Sequence, residues 1–373
     1  MENERNPPYR RLQSLDALRG FDMFWIMGGE GIFIGLASLT GWPVFHWCAE
    51  QLEHVSWHGF HFYDMIFPLF LFIAGISFPF SLSKRMANND SRKSIYTHVI
   101  SRGLILVFLG ILYNNGVRFN FDEMRYGSVL GRIGLAWMFA ALIFMNTRLS
   151  MRIVWFCALL IGYWILMILF PAHDLGSADI YSREGNFASF MDRIIMPGKL
   201  YLGNHDPEGL LSTIPAIGTA LLGMFTGEFM KSEYLRENPL KKVLHLILAA
   251  LVLMIVGQIW NLEFPINKNL WSSSFVLFAG GLSLLFFAAF YLIIDVWQYK
   301  KWSYFFVVIG LNPITIYLVG RIVDFRSASE FFFGGFTEIL PEAWAPLIDG
   351  IGITTIAWVF LYILYKNKIF LKV

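Results

Sequence analysis

The sequence predicts an all-α protein, a polytopic membrane helical bundle of about ten transmembrane helices with both termini cytoplasmic. Three observations carry that class. The 373 residues are 56% hydrophobic and only 15% charged, whereas a soluble domain is typically about one-quarter charged. The apolar residues gather into blocks of roughly 18–22, the length a helix needs to cross the hydrocarbon core of a bilayer. The alternating segments of about ten residues that mark a membrane β-barrel are absent.

In chain order the spans fall at about 21–39, 65–82, 103–115, 129–146, 153–170, 210–230, 243–260, 272–294, 304–320 and 347–365, the third being short, with His98 as its alternative start. They make one transmembrane domain over residues 1–373, with no low-complexity linker and no clear internal repeat of the kind a symmetric transporter carries. Residues 1–20 are polar and charged, so the first apolar run reads as a retained helix and not as a cleaved signal. Cys48 and Cys157 fall in different segments and suggest neither a disulfide framework nor a thiolate metal site. A net charge of +2 with no basic stripe gives no footprint for nucleic acid.

Lysine and arginine set the expected orientation. With a cytoplasmic N-terminus, 20 of the 29 basic residues fall on inner pieces and 9 on outer ones. Two cytoplasmic ends follow, with long outer segments at 40–64, 171–209 and 321–346, as in a protein of a bacterial inner membrane.

Ionisable residues inside a membrane are costly and tend to face a cavity or a partner. The candidates are Asp22, Glu30, Asp64, Arg102, Arg132, Glu228 and Asp295. In LDALRG, Asp16 and Arg19 share a helical face, which gives either a local ion pair or an anion site. Arg132, in VLGRIGLAW, is either a buried bridge or the partner of a ligand anion. The outer segments gather Asn204, His205, Asp206 and Glu208 before the sixth span, and Asn267, Lys268, Asn269 and Trp271 before the eighth. Amides and carboxylates suit sugar hydroxyls and amines, and an indole suits a flat sugar face. Tryptophan at an interface is equally a structural anchor.

The stretch EHVSWHGFHFYDMIFPLFLFIAG, Glu53 to Gly75, places His54, His58, His61 and Asp64 just before an apolar run. The histidines are spaced i, i+4, i+7, one face if the segment is helical, and such a face can ligate zinc. Gly59 interrupts it, and no fourth ligand is apparent. Histidines that cap or bridge at the interface are a second reading. A third is catalytic: imidazole takes a proton from an attacking amine or hydroxyl, and Asp64 orients it.

Six motifs in register, RLQSLDALRG, EHVSWHGFHFYDMIFPLFLFIAGISFPFSL, GSVLGRIGLAWMF, DPEGLLSTIPAIGTALLG, FPINKNLWSSSFVLFAGG and GLNPITIYL, resemble the transmembrane heparan-α-glucosaminide N-acetyltransferase family, especially its bacterial members. The likeness runs from about residue 11 to 365. It implies transfer of acetyl from cytoplasmic acetyl-CoA to the amine of a glucosamine unit across the membrane, with no metal. It assigns the active histidine to His54, before Ser56-Trp57, and does not extend to His58 or His61. A first-span asparagine of the lysosomal branch has no counterpart in IMGGEGIF, where the polar residue is Glu30; the family's Gln-Arg-Ile reads Gly131-Arg132-Ile133.

Under this resemblance His54 is a general base or a transient acetyl carrier, with Asp64 beside it. Arg19, Arg102 and, more weakly, Arg132 are the expected contacts of CoA. Asp206, Asn267, Lys268, Asn269 and Trp271 are the expected contacts of the acceptor, with Asn267, Lys268 or Asn269 as donors to the thioester oxygen. A homodimer is implied. Competing classes are a sugar transporter or flippase, which consumes no acetyl-CoA, and an O-acetyltransferase of envelope glycans.

Overall fold

The computed structural model describes residues 12–117, 120–172, 174–177, 179–232 and 238–371. Arg5, Arg10, Arg11, Arg118, Arg236 and Lys372, used above for orientation, lie outside the described residues. Among those described, the regular structure is helical: α1 (Gln13–Phe24), α2 (Glu30–Thr40), α3 (Pro43–Gln51), α4 (Ile66–Ala87), α5 (Arg92–Asn115), α6 (Val129–Asn146), α7 (Leu149–Leu169), α8 (Phe187–Ile195), α9 (Thr213–Lys231), α10 (Pro239–Trp260), α11 (Ser273–Phe290), α12 (Tyr304–Gly310), α13 (Pro313–Val319), α14 (Phe325–Ile339) and α15 (Ala345–Lys366). The protein is therefore a polytopic helical membrane bundle, as the apolar blocks predict.

Eight helical stretches are long and apolar enough to cross a bilayer: Gln13–Thr40, Phe62–Ala87, Arg92–Asn115, Val129–Asn146, Leu149–Leu169, Pro239–Trp260, Ser273–Val296 and Glu342–Lys366. The two remaining predicted spans differ for physical reasons. The sixth is the 19-residue α9, whose Pro, Gly and Thr residues dilute its hydropathy and whose side chains are largely buried. The ninth is broken. Pro313 supplies no backbone donor, so the chain forms two seven-residue helices, α12 and α13, around Leu311 and Asn312. The third span extends back to Arg92, where Ser91 caps the helix by accepting from the Ser94 amide at 3.2 Å. The segments at 40–64, 171–209 and 321–346 also hold helices not read from the sequence: α3, α8 and α14.

The chain divides into two compact units. The first comprises Leu12 and residues 71–285 among those described. Within it α6 packs on α5 and α9, and α9 packs on α7. Gly75 and Gly223 allow a backbone-to-backbone crossing: a Cβ on Gly75 would lie 2.3 Å from the Ala220 carbonyl oxygen, and one on Gly223 2.1 Å from that of Phe72. Small residues at helix crossings are the usual means of close packing where lipid gives no hydrophobic drive. Glu228 on α9 is not left alone in the apolar region, since both its oxygens accept from Arg152 Nη1 at 2.8 Å.

The second unit comprises residues 13–70 and 286–373. Here α1 packs on α12, α2 on α15 and α14 on α15. The core between α1, α12 and α15 holds Met23, Val308, Ile309, Ile316, Ala357 and Leu361, with Phe305 and Trp358 stacked at 5.5 Å. Asn312, at the break, donates to the Ile369 carbonyl at 2.9 Å and accepts from the Leu371 amide at 3.2 Å, tying down the end of the chain. Asp295 accepts from the Ser14 amide at 3.1 Å, at the start of α1.

Between α1 and α2 the first span kinks at Gly28, whose φ of +122° is not helical. That dihedral suits glycine alone without strain. The kink displaces Glu30 from the register a straight helix would give it.

The crossing of α1 and α12 is the tightest of the second unit: a Cβ on Gly310 would lie 1.9 Å from the Asp16 carbonyl oxygen. Gly310→Val is expected to cost at least about 1–3 kcal/mol through overpacking, seen as a lower melting temperature of the purified protein. Gly334→Ala in α14, where a Cβ meets nothing within 4 Å, is expected to leave the melting temperature unchanged or slightly raised.

Candidate active site

The stretch that the sequence singled out is not a helix. α3 ends at Gln51, residues 53–61 form bends and extended chain, and a short 3-10 turn at Phe62–Met65 leads into α4. Gly59 supports this path with φ of +118°. The i, i+4, i+7 face is therefore not formed. His61 instead lies over the Glu53 carbonyl, Nδ1 to O at 3.0 Å, and His58 is exposed. Among the described residues no cluster of three His, Cys, Asp or Glu side chains has metal-holding geometry.

Of the three histidines, His54 meets the carboxylate. Its Nδ1 is 2.7 Å from Asp64 Oδ1. Asp64 has 1% of its side chain exposed, whereas His54 has 49%. The second oxygen, Oδ2, accepts from the His61 amide at 3.0 Å and more weakly from the Val55 amide at 3.5 Å. Asp64 thus closes the loop on itself, and the 3-10 turn exists because its side chain reaches back to His61. A carboxylate on Nδ1 holds the ring proton there and leaves the lone pair on Nε2. Ring orientation and tautomer are both set by one buried group.

The other side of the imidazole faces Tyr63, with ring centroids 4.9 Å apart. Glu30, Tyr63 and His54 lie within electrostatic reach of one another. Tyr63 escaped the sequence reading; its only signal was adjacency to Asp64. In the same unit, Arg19 Nη1 is 3.5 Å from both Asp16 Oδ1 and the Gly310 carbonyl oxygen, at the limit of a hydrogen bond. Asp22 is fully buried and neither of its oxygens has a hydrogen-bond partner.

The first unit gathers the other named residues differently. Arg125 Nε and Nη2 clamp Asp206 at 2.9 and 2.8 Å, and Nη2 also contacts Glu208. Burial alone would raise the Asp206 carboxyl; the hydrogen bonds and charge of Arg125 hold it below its ordinary range. Asp206 further accepts from the amides of Tyr201 and Glu208, at 3.1 and 3.0 Å. It is the hub of its loop. His205 is buried with Nδ1 2.6 Å from Ser189 Oγ, and burial pushes its imidazole down to about 3.

Arg132 is 2% exposed. Its Nη2 donates to the Gly209 carbonyl at 3.2 Å and to Ser212 Oγ, and its guanidinium lies 5.1 Å from the Trp271 ring centroid. Trp271 is fully buried, and its Nε1 donates to Thr219 Oγ1 at 3.1 Å. The indole face offered to a sugar in the sequence reading is thus against a guanidinium here. Asn267, also fully buried, accepts from the Leu270 amide at 2.9 Å and shapes the turn before α11. Lys268 and Asn269 at the tip of that turn are half-buried. Arg102 lies over Trp137, 4.6 Å from its centroid. Arg125 and Asp192 were not singled out from sequence; their partners lie up to 83 residues away, beyond any local pattern.

Asp192 accepts from the Leu210 amide at 2.9 Å, and burial pushes its carboxyl up to about 7 although Leu210 and Arg132 pull it down. An unfolded aspartate titrates near 3.9. Between about pH 4 and 7 the folded chain therefore holds a proton that the unfolded chain has released, and stability falls as pH rises through that window. Asp192→Asn removes this dependence. The melting temperature of the variant minus that of the parent is expected to grow from about pH 4 to 7 and then level off; a constant or shrinking difference would contradict the assignment.

Comparison with known proteins agrees with the motifs. A family model described as a domain of unknown function, DUF5009, matches residues 11–125. Human heparan-alpha-glucosaminide N-acetyltransferase is 26% identical over 424 aligned residues, covering 98% of this chain and 60% of the relative. The mouse protein of the same name is 24% identical, covering 99% of this chain and 61% of its own length. The chain thus spans about three-fifths of the curated relatives it matches. It is related at the level of the family to the heparan-alpha-glucosaminide N-acetyltransferases.

Proposed function

We propose that this protein is a transmembrane acetyltransferase that moves acetyl from acetyl-CoA to the amine of a glucosamine-type sugar. The observation that carries the reading is the 2.7 Å hydrogen bond between His54 and the buried Asp64. It supplies what acetylation of an amine needs most. An ammonium has no lone pair, so the acceptor must lose a proton before it attacks. The half-exposed imidazole, with Nδ1 held by Asp64, takes that proton at Nε2. The amine nitrogen then bonds to the thioester carbon, the carbonyl oxygen gains charge, and the C–S bond breaks. The leaving sulfur takes a proton, leaving the amide, free CoA and one proton released overall. Asp64 stabilises the imidazolium while it exists, as carboxylates do in other acyl-transfer sites.

The family-level relationship supports the donor and acceptor classes. The basic bias of one set of loops supports a cytoplasmic N-terminus, with CoA on that side and the sugar on the other. Arg19 and Arg102 are separate candidates for phosphate contact, each proposed within its own unit. Arg132 is the weakest such candidate, since its Nη2 is engaged by Gly209 and Ser212. Lys268 and Asn269 are the proposed acceptor contacts at the half-buried tip of their turn, which Asn267 and Trp271 support from within, and Asp206 is a further proposed acceptor contact. A bacterial inner membrane and a homodimer complete the proposal.

His54→Ala is expected to abolish glucosamine-dependent release of CoA by the purified protein. Asp64→Asn is expected to lower it by about 10²–10⁴-fold, because the ring loses its tautomer and its counter-charge. Full activity in either folded variant rejects the assignment. Incubation with acetyl-labelled donor and no acceptor separates the two kinetic forms: a base in a ternary complex leaves the protein unlabelled, whereas an acetyl carrier labels it and loses that label in His54→Ala.

A further inference from the structure

The first unit holds a recess that the acid–base chemistry does not use. It opens where α4 ends and α5 begins, against α6. Its lining includes Phe78, Ser81 and Arg85 of α4, His98 and Val99 of α5, and Trp137 of α6. The enclosed part measures about 10 Å³, room for a single oxygen atom, and with its open mouth the recess reaches about 230 Å³. No carboxylate lines it.

The polar groups here lack acceptors of their own. Trp137 is 3% exposed, and its Nε1 donates to nothing among the described residues. A buried N–H is costly to leave in that state. Arg102, one turn beyond His98 on α5, lies over the same indole, 4.6 Å from its centroid. Arg85 commits Nη1 to Asp90 Oδ2 at 3.2 Å, in a pair that is partly exposed. Two arginines and an imidazole thus stand beside one recess whose walls carry no acid. Its depth in the membrane points the same way. Arg85 lies two residues from the end of one candidate span and His98 in the second turn of the next. Span ends sit at the level of lipid headgroups, and basic recesses between them are suited to anionic headgroups.

We propose that this recess is a phosphate-binding site. One phosphate oxygen enters the enclosed part and accepts from Trp137 Nε1. The others stay at the mouth and accept from Arg85 and His98, while Arg102, stacked on the indole, adds its charge. A tetrahedral oxyanion has an oxygen for the donors of each of the three helices, whereas a carboxylate has two in all. Phosphate reaches this level from two sources, a phospholipid headgroup and the phosphates of CoA. The chemistry of recognition is common to both, and the inference stands without the acetyltransferase reading.

The test is equilibrium binding to the purified full chain in phosphatidylcholine nanodiscs, read separately for two probes: fluorescent phosphatidylglycerol, and free CoA. Binding of the first alone identifies the headgroup, binding of the second alone the nucleotide, and binding of both a recess open to either. Arg85→Gln is expected to raise the dissociation constant of the probe that binds by about 10–100-fold, the scale of a charge-assisted hydrogen bond. His98→Leu and Trp137→Phe, which each remove one donor, are expected to raise it by about 2–10-fold. Asp90→Asn takes the counter-charge from Arg85 and is expected to tighten binding by up to about fivefold, a gain that a damaged fold does not give. Lys93→Gln removes an exposed charge at the start of α5 that does not line the recess, and is expected to stay within about twofold. Binding of neither probe by the parent, equal binding by Arg85→Gln and the parent, or a loss in Lys93→Gln as large as that in Arg85→Gln overturns the inference. CoA that binds through Arg85, in a protein that releases none from acetyl-CoA in turnover, upholds it and overturns the acetyltransferase reading instead.

Discussion

Asp64 is withdrawn almost completely from solvent, and a carboxylate in that position must be satisfied by donors. It takes them from its own loop: the backbone of His61 and Val55 on one oxygen, and the His54 ring on the other. The path of the chain before α4 follows from this need. So does the state of the imidazole, which is orientated, held in one tautomer and half-exposed on the side away from the buried carboxylate. The same interaction that ends the irregular stretch and starts a transmembrane helix makes a base of one histidine among three. His61, close in sequence, meets the same carboxylate through its backbone amide and turns its ring to the Glu53 carbonyl.

The first unit solves the problem of buried charge in another way. Arg125, Asp206 and Glu208 form a closed set of ion pairs, and Arg132 is shared between loop carbonyl, hydroxyl and indole. These groups tie the segments at 120–128 and 199–212 to one another and to α6. Pairing of this kind gives definition more than stability, because desolvation offsets much of the attraction. Rigid loops of this sort suit the presentation of a few half-exposed side chains, and Lys268 and Asn269 stand at the tip of one.

The helical class was legible because lipid imposes length and composition on every span, and the eight long helices obey both. The break at Asn312-Pro313 could be read as a proline in a span but not as two separate helices, since the compensating bonds come from Ile369 and Leu371. His54 and Asp64 were legible together because they lie ten residues apart and the family motif names the histidine. The zinc-like spacing of His54, His58 and His61 was a false regularity: Gly59 and the Asp64 bond turn the chain out of a helix. Arg125 opposite Asp206, and Arg132 against Trp271, join distant segments. No local periodicity records such pairs.

The most direct measurement is the appearance of free CoA when the wild-type protein is given acetyl-CoA with glucosamine, with a hydroxyl-only sugar, or with no acceptor. The account predicts CoA with the amine alone. Sugar uptake without CoA, or CoA release indifferent to the acceptor, would contradict it.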